Sequence, residues 1–227
     1  MEKHPLHGKV ITDIRRAPKE LIERFEKHDT CKISDAMGKY GSMHYGIKPI
    51  SRGMSVVGSA VTVLTKPGDV LFLYKVTEVI HPGDVVVVDA GGLREFACMG
   101  ERLLGLMKDI GLAGFVIDGS VRDSKGILEL DIPVFCRGIC ISVGGSSGPG
   151  AINVPIQCGG VTVRPGDIIV GDDDGVVVVP LENAKEIANA ADAHLQGELS
   201  RVEMLKSGSK SIDELYDLSP KIKIWQD

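Results

Sequence analysis

A chain of 227 residues with 43% hydrophobic content and 28 glycines has the length to bury one large core and the turns to close around it. Its formal charge of −5 is spread along the chain, which excludes a nucleic-acid binder working through a basic face, and with 4% aromatics the interior must be filled by aliphatic side chains. No apolar run has the length of a membrane span or a signal-peptide core, so a cytoplasmic protein with no membrane partner is expected.

"APKELIERFEKH", residues 17–28, reads as a helix with Pro18 in its first position and Leu21, Ile22 and Phe25 on one face. "TCKISDAMGKYG" predicts a second, short helix capped by Thr30 and ended by Gly38 or Gly41. Residues 55–65, "SVVGSAVTVLT", are β-rich. Pro-Gly-Asp occurs three times, each a turn signal feeding an apolar run. The second and third copies launch buried strands, Val85 to Val88 and Ile168 to Val170, whereas residues 70–80 after the first would serve as strand or buried helix.

A helix from about Gly100 to Ile110 and the strand "GFVID" come next, so strand, glycine loop, helix and strand form a βαβ unit with a parallel pair. Residues 134–180 are short strands and glycine turns, with "GDDDGVVVVP" the clearest hairpin. From residue 181 the chain is helical again, and its tail carries the only tryptophan, Trp225, which would pack on a neighbour or fray. No linker divides the chain. A single mixed α/β domain over 1–227 is expected, with 181–227 a C-terminal helical extension available to a neighbouring subunit. The five cysteines are odd in number, and Cys136 and Cys140 lack a second Cys/His pair for a zinc site, so reduced core thiols are expected.

Two loops leave the carboxyl ends of the paired strands, "DAGG" and "DGSVRD", and ligands gather at such ends. Near Gly100 and Glu101 the start of a helix offers free backbone N–H groups to a carboxylate or phosphate. Arg122 offers a planar fork for an anion, and Asp123 a hard oxygen ligand. Together these suit a small, anionic, metal-chelating molecule such as a 2-oxo acid. Adjacent Arg and Asp are also commonly an exposed pair worth under about 1 kcal/mol. From these residues alone both readings stand. Elsewhere the blander reading is favoured: Asp172, Asp173 and Asp174 as a turn, Lys75 as a snorkelling lysine rather than a Schiff-base nucleophile, and His44 and His81 as turn residues; for Asp89 and Asp118, lining the pocket and capping a turn stand equally.

"GERLL", nine residues, then "GFVIDGSVRD", with "VVVVDAGG" before and "GDDDGVVVVP" after, resembles the family that holds the regulator of ribonuclease activity A and the class II 4-hydroxy-4-methyl-2-oxoglutarate aldolases. The likeness runs from "SDAMGKYG" at Ser34 to Pro180. It implies a swivelling β/β/α three-layer sandwich assembled as a homotrimer or homohexamer, with sites between subunits. It also implies a divalent-metal-dependent carbon–carbon lyase acting on a small 2-oxo acid, as aldolase or oxaloacetate decarboxylase.

In that scheme Asp123 holds Mg²⁺ or Mn²⁺, and Arg122 binds the keto or enolate oxygen. Amides around Gly100, Arg102 and Leu103 bind the carboxylate, Glu101 stands near the water that shuttles a proton, and Glu198 is an acid offered to a neighbouring subunit's site. In this chain Gly126 stands where aldolase-competent relatives carry an acid, which bears on the aldol substrate more than on the metal. Arg102 stands where they favour leucine and offers a second cation for a dicarboxylate such as oxaloacetate. The rival reading is a non-catalytic regulatory binding protein of the ribonuclease-regulator type.

Overall fold

The structure, a computed structural model, describes residues 8–208, 210–216 and 218–221. Its spine is a nine-stranded sheet, in which Val56–Thr65, Asp84–Asp89, Gly114–Asp118 and Val134–Cys136 run parallel in that order. Lys48–Pro49 closes one edge, antiparallel to Val134–Cys136. Val56–Thr65 is long enough to serve two antiparallel partners, Ile168–Asp172 along its first half and Gly150–Ile152 along its last. The parallel pair expected from the βαβ unit is present, with Val85 opposite Gly114 and Asp89 opposite Asp118.

Successive side chains of a strand point to opposite faces, and the apolar strands therefore feed two cores. Val61, Val63, Val86, Val88, Phe115 and Ile117 pack on one face. Over them lie helix α3 (Leu71–Lys75), helix α4 (Glu101–Ile110) and helix α5 (Ser124–Glu129), through Leu73, Leu104 and Ile127. Ala60, Val85, Val87, Val116 and Phe135 face the other way, against Ile156, Cys158 and Val163 of a small second sheet. The hairpin Ile168–Val179 is covered by α1 (Lys19–Phe25), α2 (Thr30–Ala36) and the start of α6 (Ala184–Lys206), through Phe25, Ile33, Ala184 and Ala188. Helices, main sheet and β layer give the expected mixed α/β sandwich.

The bounds and caps of the first two helices differ from expectation. The cap of α2 is Asp29, whose Oδ1 accepts the Lys32 N–H at 2.8 Å, while the Thr30 hydroxyl donates to Asp172 at 2.7 Å. Pro18 is the cap of α1 rather than its first residue, and the helix ends at Phe25. The first Pro-Gly-Asp opens a helix because the buried Asp69 accepts the Leu71 N–H at 2.9 Å and ties the same turn to the Ser147 and Gly148 N–H groups. Helix α6 packs its first turns on its own chain, with Asp192 bridging Arg24 (2.6 Å) and His28 (2.7 Å). Trp225 lies outside the described residues. Among the described residues no helix is long and apolar enough to cross a membrane.

Candidate functional site

Beyond the main sheet, three very short strands, Ala97–Met99, Ser120–Val121 and Gly138–Ile139, pair in parallel. Their backbone bonds fix the loops that carry the candidate chemistry. The Arg122 N–H donates to the Met99 carbonyl at 2.8 Å, and the Cys140 N–H to the Val121 carbonyl at 3.0 Å. Arg122 and Asp123 thereby stand beside the start of α4. The first intrahelical bond there is Leu104 N–H to Gly100 C=O, and Gly100 supplies no side-chain cap, so the N–H groups of Glu101, Arg102 and Leu103 lie ahead of the helix's own ladder.

Asp123 has φ 58° and ψ 40°, a left-handed conformation that non-glycine residues adopt at a cost and that collects at functional sites. That turn lays its carboxylate against Gly100: a Cβ there would fall 2.4 Å from Asp123 Oδ2 and 3.2 Å from Arg122 Cγ. A side chain at 100 would therefore have to displace the Asp123 carboxylate. The carboxylate caps no N–H of α5, and it accepts from Arg122 Nε at 3.2 Å, with side chains 35% and 41% exposed. Two adjoining hollows of about 580 and 640 Å³ share Glu101, Arg122 and Asp123. Lys125, Gly126 and Ile139–Ile141 line the first, and Arg102, Leu103, Tyr74 and Val143 the second. Ile141 is 91% exposed on this rim.

Every residue expected at the site except Glu198 is brought together here. Glu198 lies in α6, 3.9 Å from Lys32, and does not line the hollows of its own chain. Asp118 is instead locked into the scaffold. Arg137 Nε donates to its Oδ1, and the Gly159 N–H donates to Oδ2 at 2.7 Å. Arg137 Nη1 and the Gly46 N–H both reach His44 Nδ1, at 2.9 Å each, so that nitrogen accepts and Nε2 carries the proton. Asp89 accepts the Gly91 and Gln157 N–H groups, and burial pushes its carboxyl above the usual range. Asp172 accepts the Asp174 N–H at 2.9 Å across the expected hairpin turn, and Lys75 is exposed and paired with Glu78. All five cysteines are free; burial raises the Cys136 thiol to about 11 and that of Cys158 well above its usual value.

The profile of the RraA-like family, described as Aldolase/RraA, matches residues 30–178. The chain belongs to this family. Among its relatives is a protein of Halalkalibacterium halodurans named "Putative 4-hydroxy-4-methyl-2-oxoglutarate aldolase", 43% identical over 172 residues, which are 76% of this chain and 82% of that one. RraAS2 of Streptomyces coelicolor, whose title calls it an unusual member of the RNase ES inhibitor RraA family, superposes with TM-score 0.76 at 35% identity, covering 83% of this chain and all of its own. The RNA-processing inhibitor RraA from Thermus thermophilis gives 0.62 at 27%, covering 67% of this chain and 93% of its own. The RraA-like family thus holds both aldolase-named and inhibitor-named relatives of this chain.

The sequence did not point to the outer wall of the hollows, Lys125, Ile139, Ile141 and Val143. The one signal it held was "GICISV", a β-patterned run whose alternate residues Ile139, Ile141 and Val143 are all exposed.

The donor set fits a hard divalent cation. Asp123 keeps lone pairs to spare, and its oxygen sits in the cradle that a Cβ at 100 would fill. Among the described residues no group of three or more His, Cys, Asp or Glu side chains is placed to hold a metal ion together. A magnesium-type ion takes one or two protein carboxylates and fills its octahedron with water and substrate.

Proposed function

We propose that this RraA-like chain is a divalent-metal-dependent carbon–carbon lyase that cleaves a small 2-oxo acid by way of the pyruvate enolate. The reading rests on one observation: the Asp123 carboxylate, part-exposed and paired with Arg122 at 3.2 Å, lies against the bare Cα of Gly100 beside the open N-terminus of α4. Mg²⁺ or Mn²⁺ on Asp123 would supply positive charge where the keto oxygen becomes anionic.

The chain's own residues do the remainder. The N–H groups at Arg102 and Leu103 receive the substrate carboxylate and fix its plane. The Arg122 guanidinium faces the keto oxygen and stabilises the negative charge that develops as the neighbouring C–C bond breaks and its electron pair moves into the enolate. Glu101 stands at the same hollow, where through water it takes the hydroxyl proton of an aldol substrate as the C–C bond breaks and returns a proton to the enolate carbon; in decarboxylation CO2 leaves without a proton, and the enolate carbon takes its proton from that water. Arg102 adds a cation suited to a second carboxylate, which favours a dicarboxylate such as oxaloacetate. The exposed rim of Ile139, Ile141 and Val143 favours coverage by another copy of the chain in a trimer or hexamer, bringing an acid such as Glu198 to a neighbour's site.

The test is pyruvate release from oxaloacetate and from 4-hydroxy-4-methyl-2-oxoglutarate, with Mg²⁺, with EDTA, and with Asp123→Ala. Release that needs the metal and falls by about 10³-fold in the variant supports the lyase. The same exposed rim also suits a protein partner, as the inhibitor-named relatives suggest. A folded, metal-loaded chain that releases nothing from either substrate would favour that second reading.

A further inference from the structure

Gly126 is the third residue of α5, and its backbone lies outside the left-handed region that calls for glycine. Alanine is the better helix former at such a place. The glycine leaves room there for the side chain of Glu101. A Cβ at 126 would fall 1.4 Å from Glu101 Oε2 and 2.6 Å from Glu101 Cδ, so the carboxylate of α4's first residue rests where a side chain of α5 would begin. The arrangement is reciprocal. Gly100, the cap of α4, seats the carboxylate of Asp123, the cap of α5, and Gly126 of α5 seats the carboxylate of Glu101.

From this we infer that Gly126 is a positioning residue: its bare Cα holds Glu101 over α5, on the hollow it shares with Arg122 and Asp123, so that α4 supplies the site's second acid. The inference rests on the lyase reading for what that acid does, but the seat itself does not depend on it. Two crossed seats hold two like charges on separate backbones at one hollow. Asp123 is left to the metal while Glu101 stays off it and handles the proton. A side chain at 126 expels Glu101 without touching Asp123.

The experiment compares the full-length native protein with Gly126→Ala, Glu101→Ala and the double variant. Crystal structures of native and Gly126→Ala protein test the seat: the Glu101 carboxylate is expected over residue 126 in the first and displaced in the second. A carboxylate in the same place in both overturns the inference. Mn²⁺ titration should give affinities within about twofold for native and Gly126→Ala protein, because Asp123 keeps its own seat; a tenfold loss would overturn the division of labour between the two acids.

Kinetics of pyruvate release test the positioning. Gly126→Ala should lower kcat by about a hundredfold with KM little changed, the size expected when a reacting group is displaced by about an ångström. Adding it to Glu101→Ala should cost no more. A kcat loss of equal size in both backgrounds overturns the role. A native structure with the carboxylate seated, in a protein that releases no pyruvate, would overturn the lyase reading while leaving the seat intact.

Discussion

Arg137 and Asp118 meet across 19 positions of sequence with side chains 18% and 10% exposed, whereas Arg122 and Asp123 are chain neighbours with 41% and 35% exposed. Asp118 ends a parallel strand and Asp123 lies five residues further on. Asp118 commits one oxygen to Arg137 and the other to the Gly159 N–H, and Arg137 goes on to His44. Asp123 has a 3.2 Å contact to Arg122 and an αL backbone that aims its carboxylate at Gly100 rather than at the N–H groups of its own helix. A carboxylate whose lone pairs are spent on fixed donors is part of the scaffold, while one that is positioned but left open is free to bind a ligand.

The sharpest way to break the comparison is to remove each carboxylate. Asp118→Ala leaves the half-buried Arg137 charge and the Gly159 N–H without their acceptor, at a cost of about 3 kcal/mol. In a chain of this size that lowers Tm by roughly 6–12 °C. Asp123→Ala should leave Tm within about 4 °C, since exposed pairs contribute under about 1 kcal/mol, and yet remove Mn²⁺ binding in a direct titration. Melting that ranks the two variants the other way round would sink the distinction.

Arg122→Lys sharpens it further. The charge remains but the planar fork is lost, so kcat for pyruvate release should fall by about tenfold to a hundredfold at unchanged Tm. Gly100→Ala acts on the same carboxylate from the other side. A Cβ 2.4 Å from Oδ2 must push Asp123 out of its seat. Mn²⁺ affinity should weaken by about tenfold, the lower end of what a lost supporting contact costs; an unchanged titration would mean that the seat does not orient the ligand.

The same contrast separates what the sequence reveals from what it hides. The βαβ unit was legible because glycine and Pro-Gly-Asp punctuate its apolar runs, and Arg122 and Asp123 were legible because a strand delivers them as neighbours. The Asp118–Arg137–His44 network was not, because its partners are 19 and 93 positions apart and only the folded sheet brings them together. Nor was the ribbon of Ala97–Met99, Ser120–Val121 and Gly138–Ile139, whose strands of two or three residues are too short to show a period. That ribbon carries the wall of the hollows, so the catalytic candidates could be read but not the surface opposite them. The seat of Glu101 on Gly126 was hidden for a related reason: a glycine whose role is empty space resembles any other until its neighbour is placed.

A third carboxylate, Asp192, tests the rule at its weakest. It joins Arg24 and His28 and so ties α6 to the first helix, but it remains 49% exposed. Hydrogen bonds from Arg24 first, and from His28, hold its carboxyl below the usual range. A lowered native value means that the ionised form favours the folded state. The contribution is therefore complete above the unfolded value of about 4 and is lost as pH falls through the native one. Solvent screening at this exposure limits it to about 0.5 kcal/mol, or roughly 1–2 °C in Tm. Asp192→Asn should lower Tm by that amount at pH 7 and pH 5 alike, and the two proteins should converge as pH falls below about 4. A gap that widened in acid would reverse the sign and assign the anchoring of α6 to the buried alanines of its first turns rather than to the ion pair.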